Sequence, residues 1–371
     1  MFLHRCGAAR SASPPAEHPR GSAGVVRSRN RSLTVDVHCH AIVPEVEALV
    51  KDRPEKRAEP EIQRRAMGAA STQYNVATML PAALPKLTSV EQRLRDMDEM
   101  GVDIQVVSPT SVQHYYWADP QLARDIVRVT NEKIAEQCAQ HPDRLVALGN
   151  IALQHPELSI EQLDYCTGEL GMRGVEISTA VNGLELDDPA FARFWARAEE
   201  IGCLVFIHPF GTSLGERVNR FYLQNIVGQP IETSIALSHL IFGGVLDRHQ
   251  RLKILAAHGG GYLPFYTGRS DHAYGTRPDA HTMKHAPSEY LRRIHFDSLV
   301  YSPESLANLI AQVGVGQVVV GTDYPFDMGS YDVHGLIEAV PALTDTERAA
   351  ILGDNAVRLL GLGEMLARRG S

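Results

Sequence analysis

Several shortages in this chain each close off a class of function. No apolar run approaches the ~20 residues that a bilayer-crossing helix requires, so no membrane partner is expected. Positive charge is scarce: 36 Lys and Arg face 44 Asp and Glu, for a net charge of −8. That balance argues against nucleic acid or an anionic membrane surface as the main partner. The five cysteines, Cys6, Cys39, Cys138, Cys166 and Cys203, are scattered and form no CxxC pair. An odd, dispersed set favours free thiols in a reducing compartment, and therefore a cytoplasmic location, over a disulfide framework. No Gly-rich turn follows the first strand-like run, which weakens the case for a doubly wound dinucleotide-binding sheet.

Residues 1–32 differ from the rest of the chain. They are rich in Arg, Ser, Ala and Pro and hold one acidic residue, Glu17. The apolar core of a secretory signal is missing, and the composition resembles a mitochondrial transit peptide. A disordered tail is preferred over targeting. The expected organisation is this tail followed by one domain over residues 33–371.

From residue 33 onward, short runs rich in Val, Ile, Leu and Ala alternate with segments of helical periodicity. Strands are expected at about 33–38, 104–108, 145–151, 173–177, 203–207, 253–257, 294–297 and 317–322. Among the helical segments, SVEQRLRDMDEMG repeats apolar residues at Val90, Leu94, Met97 and Met100, and PAFARFWARAEEIG ends at Gly202, a helix stop. Parallel strands need helical crossovers, so this alternation predicts an α/β fold, a (β/α)8 barrel. At 371 residues the chain suits one barrel of about 250 residues plus insertions. The main insertion, residues 44–89, reads as a long loop following the first strand. It should lie on the catalytic face and cover the mouth.

Metal-binding side chains stand at the ends of these strands. His38 and His40 sit in LTVDVHCHAIVPE, His208 in CLVFIHPFG, His258 in LKILAAHGGG and Asp323 in QVVVGTDYP. Residues i and i+2 of a strand share one face, so His38 and His40 start ~6.6 Å apart and can converge on one ion, with Cys39 pointing the other way into packing. Residues from different strand tops of a barrel meet in one mouth. Three imidazoles and a carboxylate suit one divalent ion, zinc first and manganese as the alternative. His258, before Gly259, Gly260 and Gly261, is either a further ligand or a general base beside the metal and its water. The end of strand four offers no lysine or cysteine, and Glu176 is its only acidic residue, which favours one metal over two.

In this order the motifs resemble the amidohydrolase superfamily, and within it the branch of 2-amino-3-carboxymuconate-6-semialdehyde decarboxylases. The likeness runs from about Val35 to Leu362. It includes RLRDMDEMGVDIQVVSPT, the block PIETSIALSHLIFGGVLDRHQRLKILAAHGGGYLPFYTGR, GTDYPFDMG and GDNAVRLLGL. The resemblance implies zinc held by His38, His40, His208 and Asp323, with His258 as the acid/base and Asp323 doubling as proton donor. It also implies that Arg269 binds a substrate carboxylate in a neighbouring subunit's site, which makes the active form a homodimer. The implied reaction is nonoxidative decarboxylation of a small aromatic or muconate-type carboxylic acid. The first rival is hydrolysis of a C–N or lactone bond, and the second a noncatalytic barrel that only binds. Phe210, Trp117 and Phe326 are expected to contact substrate, with His114 and Tyr115 near the mouth. Two departures point to a different substrate from that of the named branch. No arginine occurs near Pro81, where a second carboxylate-binding arginine belongs (Arg64, Arg65 and Lys86 are the nearest substitutes). Phe210 also replaces the tryptophan that usually follows the His-Pro pair.

Overall fold

The computed structural model describes residues 32–341 and 343–369. The N-terminal segment therefore lies outside the described residues, apart from Ser32. Eight parallel strands form the core: β1 (Val35–Ala41), β2 (Ile104–Pro109), β3 (Leu145–Ala147), β4 (Gly174–Ile177), β5 (Leu204–Ile207), β6 (Lys253–Ala256), β7 (His295–Asp297) and β8 (Val318–Val319). Each overlaps one expected run. β1, β2 and β3 pair in that order, and β4 to β8 pair in sequence as a second sheet. Two links close the ring. Gly149 bridges Val175 between β3 and β4, and Asp36 and Cys39 bridge Val320 and Tyr324 between β1 and the end of β8. The result is the expected (β/α)8 barrel.

Strand alternation alone does not place the two histidines of β1. Asp36 pairs with Gln105, but Cys39 pairs with Val107, so β1 carries one extra residue between these pairs. This bulge shifts the alternation, a device common beside active sites. Below it, Val35 and Val37 pack with Ile104, Val106, Leu204, Phe206 and Leu255 in the apolar barrel interior. Above it, Cys39 packs with Val107, Met97, Ile126 and Tyr324 under the helical layer, while His38 and His40 meet His208 in the mouth.

The insertion after β1 corrects the sequence reading. It is not a loop but a succession of helices: Pro44–Val50, Pro54–Met67, Ala69–Tyr74, a π-helical turn at Asn75–Met79, and Leu80–Thr88. Its prolines suggest turns. Pro44 and Pro54 instead occupy first-turn positions, where a missing N–H costs nothing, and Pro81 follows directly on the π-helical turn within a continuous helical run. Pro60 lies inside its helix, on an exposed stretch where water can satisfy the released carbonyl. Beyond it, Gly68 at φ +80° sits so close to Asn219 that a Cβ would fall 1.9 Å from the Asn219 carbonyl oxygen. The insertion therefore packs on the segment that follows β5. No helix among the described residues is long and apolar enough to cross a membrane.

Candidate metal centre

His38, His40, His208 and Asp323 converge at the carboxyl end of the barrel. One potential ligand atom from each lies within 4.8 Å of all the others. The Nε2 atoms of His38, His40 and His208 are all buried and have no hydrogen-bond partner. Their Nδ1 atoms, by contrast, are engaged. His38 Nδ1 lies 2.7 Å from Asp297 Oδ2, His208 Nδ1 lies 2.9 Å from Ser111 Oγ, and His40 Nδ1 lies 3.4 Å from Ser108 Oγ. Buried polar atoms are rarely left unpaired without a reason. Here three lone pairs face one point beside the Asp323 carboxylate, an arrangement that fits a divalent ion.

The charges agree. Asp297, Glu176 and Asp323 are buried, and among the described residues their ionic partners are histidines rather than lysine or arginine. Buried anions require a nearby cation. Burial disfavours the His38 imidazolium, but the charges of Asp323 and Asp297 override it and push its pKa up to about 10. Burial likewise opposes ionisation of Asp323, and the His38 charge together with the His258 and His40 imidazoles that face it holds it well below the carboxylate range. Burial, with repulsion from His40, His38 and His258, outweighs the attraction of Glu176 and holds His208 well below its ordinary value. A bound dication supplies the positive charge that protons otherwise provide, and neutral imidazoles become its ligands.

His258 and Asp323 share an unusual backbone, with φ of +55° and +56°. This left-handed conformation costs a non-glycine residue on the order of 1–3 kcal/mol. At both strand ends it turns the side chain back over the mouth. The His258 and Gly259 amides donate to Asp297 Oδ2 and Oδ1 at 2.8 and 2.9 Å, and the Asp323 amide donates to the His38 carbonyl at 2.8 Å. His258 Nε2 comes to rest 3.7 Å from Asp323 Oδ2.

A cavity of about 590 Å3 opens on this pair. Its walls are mainly apolar: Ile226, Pro230, Tyr262, Phe265, Leu299, Val300, Tyr301 and Met328, with Asn225, Gln229 and Ser305 as neutral polar groups. His258 and Asp323 supply its imidazole and its carboxylate.

The match to the amidohydrolase family spans residues 35–362. The chain belongs to the amidohydrolase family. Among its amidohydrolase relatives, 2-amino-3-carboxymuconate-6-semialdehyde decarboxylase of Dictyostelium discoideum is 39% identical over 272 residues, covering 73% of this chain and 76% of that protein. Gamma-resorcylate decarboxylase of a Rhizobium species is 27% identical over 292 residues, covering 73% of this chain and 87% of that protein. The crystal structure of 5-carboxyvanillate decarboxylase from Sphingomonas paucimobilis superposes with a TM-score of 0.79 at 27% identity, covering 89% of this chain and 99% of that one.

The residues expected to bind substrate are spread more widely. Phe326 stands at the centre, its ring 5.6 Å from that of His40. Trp117 is packed edge-on against Tyr115 at 5.4 Å, and Phe210 is half exposed. None of the three lines the cavity. Arg269 is exposed on the helix Leu263–Thr276 and is not among the residues lining the cavity of its own chain. Arg64 and Arg65 pair with Glu61 on an exposed surface, and Lys86 lies 3.4 Å from Asp96. Sequence reasoning missed Asp297, Ser108, Ser111, Tyr262 and Tyr301. For Asp297 a signal was available, because it ends β7 just as the other site residues end their strands.

Proposed function

We propose that this chain is a metal-dependent nonoxidative carboxy-lyase acting on a small aromatic or muconate-type carboxylic acid. The observation that carries this reading is a mainly apolar cavity ending on an imidazole and a carboxylate 3.7 Å apart beside the convergent ligand atoms. A carboxylate moved into an apolar space loses hydration, and departure of neutral CO2 relieves that cost. The identity to decarboxylases supports the same conclusion.

His38, His40, His208 and Asp323 would hold the ion, with zinc proposed first and manganese as the alternative. When bound, the ion orients the substrate and polarises its oxygen. In the reaction the C–C bond to the carboxylate breaks, its electron pair stays on the ring or chain carbon, and CO2 leaves. That carbon then takes a proton. Asp323 delivers it, and His258 Nε2 relays the proton to and from Asp323 Oδ2. Tyr262, Phe265 and Tyr301 enclose a planar substrate, and Phe326 shapes the pocket beside His40. Arg269 is exposed and has no ion pair among those described, which supports a role across a homodimer interface, with its guanidinium gripping a carboxylate in the neighbouring site. Phe210 and Trp117 belong at the rim of that shared site. The four described cysteines are free and buried, in keeping with a cytoplasmic protein.

The test loads the protein with zinc or manganese, screens aromatic and muconate-type acids, and follows CO2. Release of CO2 from one of them is expected. Turnover of amides or lactones with no CO2 from any acid overturns the reading.

A further inference from the structure

Glu176 is fully buried at β4, and its two oxygens serve two serines. Ser108 Oγ donates to Oε2 at 2.6 Å, and Ser111 Oγ donates to Oε1 at 2.9 Å. The same hydroxyls face two ligand histidines. Ser111 Oγ is 2.9 Å from His208 Nδ1, and Ser108 Oγ is 3.4 Å from His40 Nδ1. A serine has one proton to give and lone pairs to receive, while an ionised carboxylate only receives. Both serine protons are therefore drawn to Glu176. Each hydroxyl is left to accept from an imidazole, which must carry its proton on Nδ1 and leave Nε2 bare. Those two Nε2 atoms are among the buried atoms without a partner.

We propose that Glu176 is a positioning residue for the metal centre: through Ser108 and Ser111 it fixes His40 and His208 as the tautomer that ligates a divalent ion. It does for two ligands, at one remove, what Asp297 does directly for His38. This role rests on the metal centre and not on which bond the enzyme breaks, so it stands or falls independently of the carboxy-lyase reading. It also gives this strand-four carboxylate a purpose other than bridging two metals. A third imidazole faces Glu176. His114 Nε2 lies 3.5 Å from Oε1, and neither His114 ring nitrogen has a hydrogen-bond partner. The competing account is that Glu176 is there only to neutralise His114.

Glu176→Gln separates these possibilities. The amide presents one acceptor and one donor, so it can serve only one serine correctly. The other serine is made to donate to its histidine, whose proton then moves to Nε2. Manganese titration of the metal-free full chain should show affinity reduced about 10- to 100-fold. Ser111→Ala should lower affinity as well, and Ser111→Thr, which keeps the hydroxyl, should restore most of it. The decisive readout is coupling: on the Ser111→Ala background, Glu176→Gln should cost clearly less than it does alone, because half of its effect is already gone. Nitrogen-15 spectra of the zinc-loaded protein should place the His40 and His208 protons on Nδ1. Additive losses in the double variant, zinc-loaded spectra with either proton on Nε2, or a His114→Asn variant that reproduces the full loss of manganese affinity would each overturn the proposal.

Discussion

Replacing Asp297 by asparagine probes the other anchor of the metal centre. Each oxygen of this carboxylate accepts two hydrogen bonds. Oδ2 takes His38 Nδ1 at 2.7 Å and the His258 amide at 2.8 Å, and Oδ1 takes the amides of Gly259 at 2.9 Å and Leu299 at 3.1 Å. An asparagine of the same shape has one acceptor and one donor. Whichever way it turns, its NH2 group faces two donors. A buried donor left without its acceptor costs about 1–3 kcal/mol, so the metal-free variant should lose on the order of 2–4 kcal/mol of stability in urea unfolding. If the NH2 group turns toward His38, the imidazole proton moves to Nε2 and the ligand is lost. If it turns away, His38 keeps its proton on Nδ1 but loses the carboxylate that strengthens it as a ligand. Either way manganese affinity should fall about 10- to 100-fold, which calorimetric titration measures directly. Affinity within twofold of the parent, alongside the expected loss of stability, would mean that Asp297 only props up the loop and does not orient His38.

Three further outcomes are expected. At Gly321 a Cβ would fall 2.6 Å from that of Asp297 and 2.8 Å from that of His38, so Gly321→Ala should cost about 1–3 kcal/mol through overpacking and weaken manganese binding; unchanged titration curves would show that the pair has room to move. His258→Asn, chosen because asparagine tolerates the left-handed backbone better than most residues, should hold manganese within a few fold of the parent while turnover falls about 10^2- to 10^4-fold, whereas loss of the metal would make His258 a ligand. The third concerns pH. Burial lowers His295 to about 4, with Arg358 and Lys253 adding repulsion. The unfolded chain protonates this residue as pH falls through about 6.5 and the native one only near 4, so stability present at neutral pH is lost across that window. Comparing urea unfolding at pH 7.5 and 5, His295→Gln should lose on the order of 2 kcal/mol less than the parent, and equal losses would contradict this assignment.

Much of the barrel and the ligand set was legible because two patterns coincide in the sequence. Apolar runs mark the strands, and a histidine or aspartate at the ends of the first, fifth, sixth and eighth points into the shared mouth. What escaped notice has a physical reason in each case. The β1 bulge is invisible in VDVHCHA because it changes register without changing composition. Asp297 ends a strand of only three residues, HFD, so its strand-end position, the one signal available, is faint. Ser108 and Ser111 act through single hydroxyls whose importance lies in what stands across the barrel. The insertion was misread because its prolines look like breaks. The cavity walls come from the segments after β5, β6, β7 and β8, and no pattern in one segment foretells which side chains of another it will face.

The closing seam between β1 and β8 has a consequence for how the centre comes into being. Three of its four ligand residues lie on that seam, His38 and His40 near one end of the chain and Asp323 near the other, and His208 lies between them in sequence. A nascent chain emerging from the ribosome presents the histidine pair first and the carboxylate nearly three hundred residues later. Until the last strand docks, the early histidines have no finished cage and stay open to whatever metal the cell offers. The complete four-residue cage therefore exists only once the last strand has docked, and an ion held there would fasten the first part of the barrel made to the last.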